Sequence, residues 1–223
     1  MSAPPLVIYG AGGYAIALAD IFESWVPEPL ATVVAYIDDV RGDDGGALGD
    51  APVISFDTWL ASYRQTPIFV TIGSPSGRRK LVERIQVASG SFSSFHGFAK
   101  PIARDVVVGT GTMILAYASV GPGSVLGNHV HVMPLCAIDP GCTIGDFSTL
   151  AAMVAISGRV AIGEGVFIGV GARIINESDE LLTIGAGATI AGGAVVLRSV
   201  HPGETLAGNP AMDYRNLAKQ RSA

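Results

Sequence analysis

The chain has 223 residues, enough for two modest domains or one large one. A formal charge of −5 and the scatter of its fourteen Lys and Arg residues argue against a nucleic-acid partner. Gly and Pro break every apolar run before the roughly eighteen residues that a membrane helix needs, and Met1 to Gly10 lacks the basic region of a signal peptide; a soluble, cytoplasmic protein with no membrane partner is expected.

Leu6 to Tyr9 reads as a short apolar strand, followed at once by Gly10-Ala11-Gly12-Gly13-Tyr14-Ala15. An amphipathic helix from Gly13 to Trp25, ending before Pro27, places this G-x-G-x-x-A pattern between a strand and a helix. There the glycines let a ligand approach the backbone and the helix start offers free N–H groups to a phosphate. A tight strand-to-helix turn without a ligand accounts for the same letters. A second strand, Thr32 to Ile37, ends in Asp38-Asp39, where a Rossmann unit holds a ribose hydroxyl. Helices are expected over Ser55 to Arg64 and Gly77 to Ala88, with a third strand from Ile68 to Ile72 between them, ending at Gly73-Ser74. Alternating strands and helices give a small parallel sheet, and ligands bind at the carboxyl ends of such strands. Gly12, Gly13, Tyr14, Asp38, Asp39 and Gly73 therefore form the candidate rim. Arg78, Arg79 and Lys80 either add a phosphate contact or make a solvated helix face.

From Ile102 the chain repeats every six residues. An aliphatic residue falls at Ile102, Val108, Ile114, Val120, Leu126, Val132, Ile138, Ile144, Leu150, Ile156, Ile162, Ile168 and Ile174, slips by four, and resumes at Ile184, Ile190 and Val196. A small or β-branched residue follows four places later, and glycine often follows directly, as at Gly109, Gly127, Gly145, Gly163 and Gly169. Six does not match the three-and-four spacing of a helix; it matches a hexapeptide β-helix, one strand and one corner per hexad. Both repeated positions point inward, and glycine is expected to free the backbone at corners. Cys136 and Cys142 occupy successive inward places and read as small core residues. The slip at 176–182 is an extruded loop. A polar helix over Asp213 to Gln220 is expected to cap the last coil.

A small α/β unit ahead of a hexapeptide β-helix resembles the sugar acyltransferases that acetylate sialic acid or amino-sugar nucleotides. The resemblance covers nearly the whole chain. It is carried by I-Y-G-A-G-G at Ile8 to Gly13, Y-I-D-D at Tyr36 to Asp39, T-I-G-S at Thr71 to Ser74, F-H-G-F-A at Phe95 to Ala99, C-T-I-G-D-F at Cys142 to Phe147 and G-N-P-A at Gly208 to Ala211. It implies a Rossmann-like sugar-nucleotide domain over 1–98, a left-handed parallel β-helix over 99–212 and a tail over 213–223. It also implies a homotrimer, acetyl-CoA as co-substrate with no metal, and CoA contacts around Thr149, Gly158, Val170 and Gly187. The function expected is a CoA-dependent acetyl transfer to an amino sugar or sugar nucleotide.

The chain departs from that family at four functional places. Its general-base histidine is Pro140 here, with the acidic partner replaced by Gly141; a second histidine is Thr149, the N-terminal one is Tyr14, and a lysine near the carboxyl end is Met212. The replacement base is sought in Gly127-Asn128-His129-Val130-His131, where both histidines flank the inward Val130 and should face outward. Three hexads make one coil of 18 residues, so His131 should stack beside Thr149, about 4.8 Å away. His131 is the first candidate and His129 the second; ordinary surface or interface histidines are the other account. Two histidines at alternate positions also suit a metal, but His96 and His201 lie outside the coils. A non-catalytic relative, or an acyltransferase with another acceptor, stands as the alternative function.

Overall fold

The computed structural model describes residues 3–24, 29–96, 102–210 and 212–213, and the chain divides into two compact units, Met1–Ser94 and Phe95–Ala223. In the first, β1 (Pro5–Tyr9), α1 (Gly13–Ser24), β2 (Thr32–Ile37), β3 (Ala47–Leu48), β4 (Ala51–Ile54), α2 (Phe56–Ser62), β5 (Ile68–Val70) and α3 (Pro75–Val87) follow in order. The sheet order is β3-β4-β2-β1-β5. Central β1 is buried from Leu6 to Tyr9, which explains its unbroken apolar run: a parallel strand covered on both faces needs apolar residues at every place. Ser55 caps α2 by accepting from Thr58 N at 3.1 Å, and Ser74 with Pro75 opens α3.

The sheet is mixed, not parallel throughout. β4 runs parallel to β2, but β3 pairs antiparallel with β4. Sequence reading passed over this hairpin because Gly42 to Pro52 is dense in Gly, Asp and Pro, which are turn residues.

The second unit is a parallel β-helix with three faces. The first face carries Val107–Val108, Val125–Leu126, Thr143–Ile144, Val160–Ile162 and Leu182–Ile184. The second carries Met113–Ile114, His131–Val132, Thr149–Leu150, Phe167–Ile168, Thr189–Ile190 and Thr205–Ala207. The third carries Ser119–Val120, Ala137–Ile138, Ala155–Ile156, Arg173–Ile174 and Val195–Val196. Each strand pairs with the one 18 residues on until the coil that holds the loop after Ile174, where the interval becomes 22, as in Ile168↔Ile190, and the last coil closes at 16, as in Ile190↔Leu206. The predicted inward residues from Ile114 onward form one buried ladder, and Ile102, Val106 and Val108 pack on its end partly covered. Burying each aliphatic side chain contributes about 1.5–3 kcal/mol.

Small polar residues inside the coil are satisfied by the next coil. Thr112 Oγ1 donates to Gly127 O at 2.7 Å and Ser148 Oγ to Gly163 O at 2.9 Å. Cys136 and Cys142 follow suit, their thiols directed at the carbonyls of Ala151 and Ser157, which bears out the core reading.

The glycines after the aliphatic residues are not the left-handed corner residues. A Cβ on Gly109 or Gly145 would sit 2.5 Å from the backbone of Gly127 or Gly163 in the next coil, so space demands them. The left-handed place comes two residues later, and Tyr117, His129, Leu135, Phe147, Met153 and Arg159 occupy it as well as glycines. At the carboxyl end Asp213 pairs antiparallel with Leu206; the rest of the expected capping helix lies outside the described residues.

Candidate active site

The carboxyl ends of β1, β2 and β5 bring the α/β rim together. Gly10 has φ +120°, and a Cβ there would press on Thr71 Oγ1 at 2.5 Å; the chain's own packing requires this glycine. Gly12, Gly13 and Gly73 differ. None has a left-handed φ, and a Cβ on any of them meets no atom within 4 Å. Neither strain nor neighbours among the described residues account for glycine at these three exposed places.

Around the rim the polar groups are already organised. Tyr9 Oη donates to Asp39 Oδ2 at 2.7 Å, and Arg84 donates to Tyr9 Oη at 2.7 Å and to Asp39 Oδ1 at 2.8 Å while lying over the Phe56 ring. Burial, with the Asp39 hydrogen bond, pushes the Tyr9 phenol well above its usual range. Asp38 caps its own turn, accepting from Val40 and Arg41 N at 2.9 Å. Both carboxylates thus shape the loop after β2 besides being candidates for a ribose. Arg78, left open between a ligand contact and a solvated face, is fully buried. It donates to Ile72 O at 2.7 Å, and desolvation lowers its guanidinium to about 10. Tyr14 stands beside it, its phenol pushed up by burial. A cavity of 530 Å³ between α1, the start of β2 and the β3–β4 hairpin touches none of these rim residues.

In the β-helix the predicted register holds: His131 pairs with Thr149. The expected outward exposure of the two histidines does not. His131 is fully buried and Thr149 nearly so. His129 sits at the left-handed tip between the first and second faces, buried, with its ring stacked on Phe147 at 5.3 Å between centroids. A polar residue next to an inward valine faces outward from the coil, but facing outward does not keep it in water once other side chains cover it. Pro140 lies between Ala137–Ile138 and Thr143–Ile144, at the corner joining the third and first faces, so the second face with His131 is on the opposite side of the prism. Gly158 stacks on Pro140 at that corner, 3.2 Å from the proline carbonyl to an added Cβ. Val170 follows a second-face strand and Gly187 a first-face strand. Within one chain the four CoA candidates therefore surround the coil and share no groove.

Asp139, the residue before Pro140, borders two adjoining grooves on the third face. Stacking the chain in 18-residue columns sets small residues, Ser119, Ala137 and Ala155, beside it on that face. Among the described residues no group of His, Cys, Asp and Glu is arranged to hold a metal, and no helix is long and apolar enough to cross a membrane.

A small Rossmann-like unit followed by a parallel β-helix of hexads defines the hexapeptide-repeat acyltransferase class. The PglD N-terminal domain family matches residues 5–85. The acetyltransferase domain of PglB from Neisseria gonorrhoeae FA1090, solved in complex with acetyl coenzyme A, is similar at 28% identity and TM-score 0.80, over 95% of this chain and 100% of that one. PerB from Caulobacter crescentus, solved with CoA and GDP-perosamine, is similar at 28% identity and TM-score 0.78, over 94% and 96%. WeeI from Acinetobacter baumannii AYE shares the fold at 23% identity and TM-score 0.67, over 95% and 100%. No curated protein matches the chain significantly. Residues 5–85 thus match the PglD N-terminal domain family, and along almost its full length the chain is similar to acetyltransferases in which such a unit precedes a β-helix.

Proposed function

We propose that this chain transfers an acetyl group from acetyl-CoA to the amino group of a nucleotide-linked sugar. One observation carries the reading: similarity along almost the full length to an acetyltransferase domain solved with acetyl coenzyme A. PerB, solved with CoA and GDP-perosamine, supports the amino-sugar nucleotide as acceptor, and the three unexplained rim glycines support a ligand there. In this account the α/β domain, 1–98, receives the nucleotide at Gly12, Gly13, Tyr14 and Gly73, with Asp38 and Asp39 beside it. The β-helix, 99–212, takes acetyl-CoA in the cytoplasm.

The reaction joins the acceptor nitrogen to the thioester carbonyl, expels the CoA thiolate and removes one proton from nitrogen. A positioned base contributes on the order of 10²–10⁴-fold to such a step, and proline offers none. Thr149, Gly158, Val170 and Gly187 lie on different sides of one coil, so they meet one CoA only across copies, which supports the homotrimer. His131 and His129, buried in this chain, serve a substrate at the Pro140 corner only from a neighbouring copy and only once the side chains covering them move aside. Calorimetry with acetyl-CoA tests the account: binding near one per chain is expected, with at least about tenfold slower transfer in His131→Ala if the base comes from the neighbour. Pro140 itself favours a second reading, a sugar-nucleotide-binding protein without turnover, which predicts nucleotide binding and no release of CoA thiol.

A further inference from the structure

Resting on the acetyltransferase reading, we propose that Asp139 receives the proton of the acceptor amine, at the corner where Pro140 stands in the histidine's place. The argument starts from position. Asp139 follows the inward Ile138 and leads directly into Pro140, so its side chain leaves the coil at the corner joining the third and first faces. On one side it borders a groove of 300 Å³ running from Ile102 and Ser119 past Pro122 to Pro140. On the other it borders a trough of 160 Å³ over Ala137 and Ala155, with Ser157 and Arg173 beyond them. The small side chains on this face create the depression, and Asp139 stands where the two hollows join.

The second argument is by use. The other carboxylates at the corners of the early coils serve the backbone: Asp105 accepts from Gly123 N at 2.9 Å, and Asp146 accepts from Asn128 N at 2.8 Å. Arg159, two residues beyond Ser157 at the same corner, pairs with Asp179 at 3.3 Å. The Asp139 carboxylate makes no hydrogen bond or ion pair among the described residues, and it is exposed. Cys136 and Cys142, each three residues from Asp139, are buried inward and directed at Ala151 O at 3.1 Å and Ser157 O at 3.3 Å. Ser157 accepts from Asn176 N at 2.6 Å. Asp139 is thus an uncommitted carboxylate at this corner among the described residues.

The step balances without any further reactant. The amine lone pair forms the C–N bond to the acetyl carbon, the C–S bond breaks, and the thiolate leaves on CoA. The proton of the acylated nitrogen passes to the Asp139 carboxylate and from there to the thiolate, giving amide and free CoA thiol. Arg173, at the end of the trough, is placed to meet an anionic group of the donor.

The test compares the full-length wild type with Asp139→Asn, Asp139→Glu and Pro140→His, using acetyl-CoA and GDP-perosamine. Thiol release is followed from pH 5.5 to 9, and CoA binding by calorimetry. Expected are a loss of about 100-fold in kcat for Asp139→Asn with CoA affinity unchanged, partial recovery in Asp139→Glu, and recovery of the double variant Asp139→Asn, Pro140→His. That double variant should acquire the acid limb near ~6.5 of an imidazole base, which the wild type lacks. Wild-type turnover with Asp139→Asn equally active would overturn the role of Asp139 and leave the acetyltransferase reading standing. A wild-type acid limb abolished by His131→Ala would assign the proton to the histidine instead. Failure of the wild type to bind CoA or release thiol would remove both readings together.

Discussion

Replacing Gly13 by alanine separates a ligand-shaped glycine from a turn-shaped one. Gly13 opens α1 with a φ outside the left-handed region, and an added Cβ meets nothing within 4 Å. Alanine narrows the unfolded ensemble and suits a helix better, so the α/β unit should gain about 0.4–1 kcal/mol. For a chain of this length that is a rise of about 1–4 °C in melting temperature. A ligand packed against the bare backbone would lose its place to the methyl group. At least tenfold weaker binding, about 1.4 kcal/mol, is expected in calorimetry with GDP-perosamine or GDP. Gly12→Ala should behave alike in binding. A variant that is more stable and binds as tightly as the parent would refute the argument, leaving the glycines as ordinary turn residues.

Gly10→Ala should do the opposite, because φ +120° and the press of a Cβ on Thr71 Oγ1 at 2.5 Å both oppose it; a loss above about 1 kcal/mol in urea melts is expected, and an unchanged midpoint would contradict it. Leu135 holds a left-handed corner at φ 64° with 55% of its surface exposed. Leu135→Gly sheds about 1–2 kcal/mol of backbone strain for about 0.5–1 of added chain entropy, so it should be neutral to mildly stabilising in thermal melts; clear destabilisation would show that this side chain is held by packing. Burial pushes the Cys136 thiol up to about 11 from an ordinary 9.0. Between those values the unfolded chain loses a proton that the folded chain keeps, so stability falls as pH rises. Urea melts at pH 8 and 10 should show a smaller fall in Cys136→Ala than in the parent, and equal falls would rule the thiol out.

The β-helix was legible because its period is local. Six-residue spacing fixes which side chains point in, and three hexads fix that His131 stacks beside Thr149. The same arithmetic places Pro140 and His131 on opposite sides of the prism, but only when residues are read as columns around the coil. Burial of His131 was not legible, since facing outward and being exposed part company wherever other side chains cover a face. In the α/β unit, β1, α1, β2 and the capped helices follow from apolar runs and from Ser55 and Ser74. The Ala47–Leu48 and Ala51–Ile54 hairpin was hidden because two-residue pairing around Gly49 leaves no periodicity to detect. The glycine fingerprint marked the rim, yet only geometry divides Gly10, which the fold needs, from Gly12, Gly13 and Gly73, which it does not.

The central claim is acetyl transfer, and the most direct measurement mixes the purified chain with acetyl-CoA and GDP-perosamine, recording thiol release and product mass together. The account predicts one equivalent of CoA thiol for each sugar nucleotide that gains one acetyl group on nitrogen. No thiol release above the uncatalysed rate, with this acceptor and with a panel of other nucleotide-linked amino sugars, would contradict it.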